Sequence, residues 1–558
     1  MNRKTGAALL LAAAISFTIM PARAKALDED RIMKIGLYYG VNALPSANLA
    51  NEVGSGYSVG YFDSDRNFNK IHTISEEKIS VMKDKTVYLG GDDLYYDTLP
   101  ASSKGIIGAF HLQTDESFAS DSEAVKAAAA AASKSGYCAF PAFVNGENVI
   151  RIGNFTSASE ASEAASKIST LTGCGLSPVG MSKTCFTFTA TKSTEVLYEF
   201  DNGCPLGIMP VSGGEKSVTW FKGYKYYGGF EYNRLSGNDI TVINVLSLSD
   251  YVKGVIPYEM NPSWPIEALK AQALCAKSYA LSVSGKHRSS GFDLCNTDDC
   301  QVYRGTSLAT DASDEAVDGV NGLGVLYDGE PAQTFFHSSN GGSTEDAANV
   351  WGKDIPYLKA VPDSFEDLKS AAHGVWTKTI TPAQVTTILR NKGCDVSSVV
   401  SLYVDKFTDA GNVYRLSVKD ANGKVTCFER EKARTILNST ANGTYVYSMR
   451  FTVSSGAGPD FYAYDAPVSG QSKLYAIGKD KSVKLTSGII ADTPMITSSG
   501  IKKPEAGTRT ADSFTISGRG WGHNVGLSQW GARGMAEQGW DYEKIIKYYY
   551  TGVTISDF

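Results

Sequence analysis

The stretch GVIPYEMNPSWPIEALKAQALCAKSYAL, from Gly254 to Leu281, holds Glu259 between two prolines, Pro257 and Pro262. Proline fixes φ and interrupts helix hydrogen bonding, so the spacing places Glu259 on a stiff loop after a short helix over 249–256. Tyr258, Met260 and Trp264 bring apolar surface to the carboxylate. Apolar neighbours desolvate an acid and raise its pKa, which suits a general acid working near neutral pH. The plainer reading is a glutamate that caps or salt-bridges the next helix.

That next helix has Ser263 as N-cap, Pro265 in its first turn and Glu267 near its positive end. Ile266, Leu269, Ala273, Ala276 and Ala280 form one buried stripe. Lys270 and Lys277 share another face and could hold an anionic group, or simply be solvated. Gln272 and Tyr279 repeat that spacing and could hydrogen-bond a sugar. His287, Cys295 and Cys300 lie within fourteen residues, with Asp298 and Asp299 between the cysteines. With Asp299 as fourth ligand they read as a structural zinc site, and a Cys295–Cys300 disulfide is the alternative. Cys275, in an alanine-rich stretch, reads as a small core residue.

Two polar, glycine-rich stretches complete the set. FFHSSNGGS supplies His337, Ser338, Ser339 and Asn340. A serine hydrolase would need a nucleophile elbow, which is missing, so these residues read as substrate-lining surface. The closing stretch GRGWGHNVGLSQWGARGMAEQGW holds Gly518, Gly520, Gly522 and Gly526 with Trp521, His523 and Trp530. Glycine lets backbone approach a ligand, and aromatic faces stack on sugar rings. It is no dinucleotide loop, because βαβ context and a distal acid are absent.

A chain of 558 residues is too long for one core and implies about three or four domains. With 42% apolar and 20% charged residues it is a globular composition. The formal charge of −6 and the lack of basic patches exclude nucleic acid as a partner. Arg3 and Lys4, an apolar run over 6–20 and the A-x-A sites at 22–26 read as a signal peptide, with a marginal membrane anchor as runner-up. Secretion, on the outer side of the cytoplasmic membrane or in the cell wall, follows from that reading. Residues 27–105 read as a β-rich N-terminal domain, and 106–192 as a β-α-β-β-α-β module closed by a strand at CFTFTAT. In that module Ser157 and Glu160 form a capping box, and the hairpin turns at 145–148. Residues 193–558 read as a mixed α/β domain with its core at about 240–352 and 510–558 and a peripheral region at about 360–510. The fold class is α+β, multidomain.

Two resemblances sharpen this. VIRIGNFTSASEASEAASKI resembles the SPOR domain, which implies a ferredoxin-like module binding peptidoglycan strands stripped of stem peptides. GVIPYEMNPSWPIEALKAQALCAKSYAL, FDLCNTDDCQVYRG, FFHSSNGGSTE and the closing stretch, in this order, resemble the stage II sporulation protein D/LytB family. That resemblance implies a lytic transglycosylase on denuded glycan during engulfment, working with a partner amidase/endopeptidase. It places the catalytic role on Glu259, and Gln301 and Gln529 join the substrate-binding residues within its motifs. The paired lysines would then hold the lactyl carboxylate of muramic acid. The LytB branch implies a second reading, a non-catalytic wall-binding activator of an amidase. Some members carry zinc at the cysteine motif, many with a histidine where this chain has Asp299. Many also have glycine where this chain has Asn524, so a left-handed backbone angle is expected to fall on an asparagine. A zinc peptidase lacks H-E-x-x-H or comparable ligand spacing.

Overall fold

A computed structural model describes residues 31–235, 239–455 and 512–557, with only backbone pieces of short strands between 456 and 511. The signal peptide or anchor expected at 1–26 lies outside the described residues, and among these no helix is long and apolar enough to cross a membrane.

The fold is α+β, and its strands do not respect the boundary expected at 105. Ile32–Tyr38 pairs with Thr241–Ser247, antiparallel, and Leu294–Cys295 adds on its other side in parallel. That seven-stranded sheet continues through Gly229–Asn233, Leu206–Ser212, Gly54–Phe62 and Phe68–Ile74. Residues of the N-terminal segment therefore lie in one core with the helices after residue 248, from Met33 and Ile35 to Leu269 and Tyr550. The segment 27–105 is β-rich as expected, but its apolar strand faces are covered by later parts of the chain. It is not a separate body.

The module at 106–192 has its expected order of elements, with a different end. Phe110–Thr114 lies between Leu176–Val179 and Glu147–Phe155, which pairs with Ala139–Val144. Helices Asp121–Ser135 and Ala158–Thr172 bury Ala124, Ala128, Ala161 and Ile168 with strand residues Leu112, Ile150 and Ile152. The closing strand is Leu176–Val179 rather than CFTFTAT. Phe186–Ala190 instead pairs with Val196–Asp201 and Lys78–Lys83, extending the sheet to ten strands. Phe186 and Phe188 join the main core there, and burying them outweighs the local β-α-β-β-α-β closure. The hairpin turn is the two-residue Asn145-Gly146, both at positive φ. Ser157 caps its helix, but the Glu160 carboxylate accepts from Thr156, one residue before the cap.

The helix Ile266–Ser282 is the axis of the third part. It starts after Pro265, two residues beyond the expected Ser263 cap, and every residue from Ala268 to Ala280 except Lys270 is buried. The single apolar stripe expected from its periodicity is thus a helix covered nearly all round, packed by Leu248–Glu259, Asp311–Asp318, Gln529–Glu537 and Tyr542–Tyr549. The expected peripheral region has its own core, built from Trp376, Val385, Leu389, Leu416 and Phe451. Phe514–Arg519 of the closing stretch pairs inside it, between Val375–Ile380 and Phe451–Ser455. This region is therefore joined to the closing motif by a shared sheet.

Candidate functional site around Glu259

Glu259 is the last residue of the helix Leu248–Glu259, which runs through Pro257 instead of stopping before it. Ser247 caps the start, accepting from the Asp250 amide at 3.1 Å. The half-buried carboxylate accepts from the Val302 amide at 3.0 Å on Oε1 and from the Gln529 side chain at 3.3 Å on Oε2. Burial pushes its pKa above the usual carboxylate value, the two donors pull it back in part, and the charge of Asp298 adds to the rise. The negative end of its own helix dipole acts in the same direction as burial. Among the described residues no cation pairs with it to offset that rise.

Three segments bring these groups together. The first is the loop after Cys295, whose Val302 amide reaches Glu259. Gln301 beside it is 1% exposed. Its Oε1 accepts from the Tyr251 hydroxyl at 2.9 Å and its Nε2 donates to the Ala276 carbonyl at 3.2 Å. Gln301 therefore holds the loop and does not face substrate. The second is the strap FFHSSN. Phe336–His337 pairs in parallel with Leu527–Ser528, and Ser339 exchanges backbone hydrogen bonds with Trp521. The third is the helix Gln529–Glu537. Ser528 caps it through the Gly531 amide at 3.1 Å, which points its first residue, Gln529, at Glu259. Trp530 of that helix meets Trp264 edge-on at 4.9 Å, with the Arg533 guanidinium over both rings.

The glycines of the closing motif have steric reasons. A Cβ on Gly522, at φ +134, would lie 2.5 Å from the His337 Cβ, and one on Gly520 would lie 2.6 Å from the Ser339 carbonyl oxygen. Asn524 takes the left-handed backbone at φ +66, as asparagine tolerates. Its amide group donates to the Asn340 carbonyl at 3.0 Å.

Several expected binding residues are not at the surface of this site. Lys277 is 0% exposed and donates to the Val320 carbonyl at 2.9 Å. Lys270 pairs with Glu267 at 2.8 Å and lies over the Tyr542 ring, and Glu267 also accepts from the Tyr542 amide. The two lysines thus form no shared anion site, because the helix between them is covered by its neighbours. Gln272 is fully buried, and neither of its amide atoms has a partner among the described residues. Tyr279 is buried against Phe335. His337 donates from Nδ1 to the Val525 carbonyl at 3.2 Å. Burial lowers its pKa to about 3, so it is neutral. His523, 5.5 Å away ring to ring, is shifted the same way by burial, with the charge of Arg434 adding to it. Ser339 and Asn340 are buried, and Trp521 is exposed.

Two acids that no local motif singles out support the strap. Glu366 accepts from the amides of Asn340 and Gly341, at 2.6 and 2.8 Å, and from the Ser528 hydroxyl at 2.5 Å. Asp363 accepts from the Asn340 side chain and the Tyr549 hydroxyl, each at 2.7 Å. Burial and the neighbouring Asp363 raise Glu366 to about 7. Residues 360–366 look peripheral in sequence because nothing local marks them as partners of a loop some twenty residues earlier.

His287, Cys295, Asp299 and Cys300 place one ligand atom each within 4.8 Å of one another. The Cys300 Sγ to His287 Nε2 separation is 3.4 Å, and His287 Nε2 to Asp299 Oδ2 is also 3.4 Å. Ligand atoms about 2.0–2.3 Å from a tetrahedral zinc lie about 3.3–3.8 Å apart; the two His287 distances meet that spacing, Cys295 Sγ to Asp299 Oδ2 is slightly wider at 3.9 Å, and the mix of thiols, imidazole and carboxylate suits that ion. Both cysteines are free thiols, not a disulfide. Lys286 also contacts Asp299, at 3.0 Å, and competes for that carboxylate.

Comparison with known proteins agrees with this arrangement of motifs. The family model described as stage II sporulation protein (SpoIID) matches residues 236–327. An uncharacterized protein of Brachyspira hyodysenteriae is 30% identical over 338 residues, 60% of this chain and 73% of that one. The amidase enhancer of Bacillus subtilis is 30% identical over 336 residues, 55% of this chain but only 40% of that protein. Stage II sporulation protein D of Bacillus subtilis is 29% identical over 328 residues, 56% of this chain and 75% of the relative. The match takes in Glu259, the helix after it and the cysteine loop, and the chain belongs to the stage II sporulation protein D family.

Proposed function

We propose that this protein is a lytic transglycosylase that cleaves peptide-free peptidoglycan strands between N-acetylmuramic acid and N-acetylglucosamine. The observation that carries the reading is Glu259: half-buried, raised in pKa, held by two neutral donors and paired with no cation among the described residues. A carboxyl group with its pKa raised in this way can give its proton to the glycosidic oxygen as the C1–O bond breaks. The resulting carboxylate takes the proton of the muramic C6 hydroxyl, whose oxygen bonds to C1. The products are a 1,6-anhydro sugar and a free GlcNAc 4-hydroxyl. The nucleophile is intramolecular, so one acid/base suffices, where hydrolysis would normally use a second carboxylate.

In this reading Val302 and Gln529 orient the acid, and Trp264 and Trp530 supply apolar surface beside it. His287, Cys295, Asp299 and Cys300 would hold a zinc ion that fixes the loop carrying Val302, a structural contribution and no part of the proton transfers. The SPOR-like module would hold the same strand and keep the enzyme on it by avidity. The protein would act outside the cytoplasmic membrane, during engulfment, beside an amidase that strips the peptides. The name of the Bacillus amidase enhancer favours one other reading, a wall-binding activator without turnover.

Mass spectrometry of amidase-treated strands separates these. Anhydro-muramyl fragments from the native protein and none from Glu259→Gln support the transglycosylase. Reducing-end fragments without anhydro sugar mean hydrolysis. Strand binding without fragments supports the activator.

A further inference from the structure

The region 360–455 builds a pocket of about 300 Å³ with Trp521 of the closing motif, lined by Arg434, Asn438, Tyr445, Val446 and Tyr447. Its shape is a corner. Tyr447 lies flat on His373, ring centroids 3.7 Å apart, and nearly parallel to Tyr445. Trp521 stands at about right angles to both Tyr447 and His373. Trp521 is 42% exposed and Tyr445 40%, an unusual pairing of open aromatic faces brought together from two distant segments.

The polar groups around the rings carry a sign. The Lys378 ammonium lies 5.5 Å from the Tyr447 ring centre, and Arg434 lines the wall. Glu431 pairs with Arg434, which leaves one positive charge in balance. Asn438 accepts from the Val446 amide at 2.8 Å through its oxygen, and its NH₂ group has no partner among the described residues.

A floor and a perpendicular wall of aromatic faces, with donors and one excess positive charge, complement a pyranose ring that carries an acetamido group and a carboxylate. The pocket is also tied to the Glu259 site. Trp521 exchanges backbone hydrogen bonds with Ser339, and the Ser338 carbonyl accepts from the amide of Trp530, the residue after Gln529. The geometry points to a remote sugar subsite in which one muramic acid unit of a peptide-free strand sits against Trp521, Tyr447 and Tyr445 while another part of the strand is cleaved at Glu259. This rests on the glycan reading above and gives the 360–455 region a role in it.

Hydroxyl-radical footprinting of the full chain carrying Glu259→Gln, with and without amidase-treated strands, tests it. Protection of Trp521 and Tyr445 is expected. In the chain with Glu259 intact, Trp521→Ala and Tyr445→Ala should each lower kcat/KM about tenfold on long strands and leave the shortest cleaved fragments unaffected. Tyr445 is an exposed ring, so its variant should keep the native melting temperature. If strands are cleaved with both rings unprotected and both variants normal, the subsite is overturned and the glycan reading stands. If strands are neither bound nor cleaved anywhere on the chain, both fall together. If free stem peptides protect the rings and strands do not, the pocket is a peptide site and the proposal is overturned.

Discussion

At Glu259 position raises the pKa of the acid: the end of a helix, half-buried, with only an amide and a carboxamide on its oxygens. A general acid of this kind loses activity as pH rises through its own raised pKa. Gln529→Met removes a donor that favours the carboxylate, so the alkaline limb of kcat/KM should move to higher pH. A pH–rate profile checks this, and a limb that stays in place would assign it to another group. Stability gives a second readout with its own sign. A carboxyl with a raised folded pKa destabilises the fold as pH rises above its unfolded value. Glu259→Gln should therefore raise the melting temperature at neutral pH, with the gain vanishing below about pH 4, the unfolded glutamate range. Its anhydro-product rate should fall by about 10²–10⁴-fold. At this scale Glu259 is legible in sequence as a glutamate among apolar neighbours, but its place is not: the helix runs through Pro257 and ends on Glu259, because a proline near a helix end costs little hydrogen bonding. The Val302 amide that holds it is not legible either, since any residue carries an amide and only the loop path brings this one near.

Among the elements, the helix Gln529–Glu537 decides whether Gln529 points at the acid. Ser528→Ala removes its cap and one of the three donors on Glu366, and should cost about 1–2 kcal/mol in urea unfolding together with a loss of turnover. An unchanged rate with lowered stability would separate the cap from the chemistry. Gly522→Ala forces a side chain into a backbone at φ +134 against His337 and should cost about 2 kcal/mol or more. The need for those glycines was readable as close backbone approach, and the structure shows that the neighbour approached is the FFHSSN strap. Helix Ile266–Ser282 was readable as a helix but misread in its surface. Periodicity reports the apolar stripe, whereas alanines on the other faces let neighbouring helices pack there too and bury Lys277.

In the whole molecule, distant segments share cores. The first strand, Ile32–Tyr38, pairs with the strand that leads into the Glu259 helix and also borders Leu294–Cys295, so it sits under both the acid and the cysteine loop. If zinc fills the His287, Cys295, Asp299 and Cys300 set, the purified protein should carry about one zinc per chain by elemental analysis. Chelation should lower the melting temperature, and Cys300→Ala should abolish the metal content. Metal-free protein with two freely titrating thiols and an unchanged melting temperature would rule the ion out.

The sequence by itself determined where Glu259, the cysteine loop, the glycine-rich strap and the closing motif stand along the chain, because each is written in neighbouring residues whose types constrain backbone or chemistry locally. It also determined the α+β class, through periodicities that act over one element. Only the tertiary structure decided which lysine is buried, that Asp363 and Glu366 clasp the strap, that CFTFTAT leaves its expected module, and that the segment before residue 105 is part of the main core. Those outcomes depend on which apolar faces cover one another across hundreds of residues, and no local spacing encodes that choice.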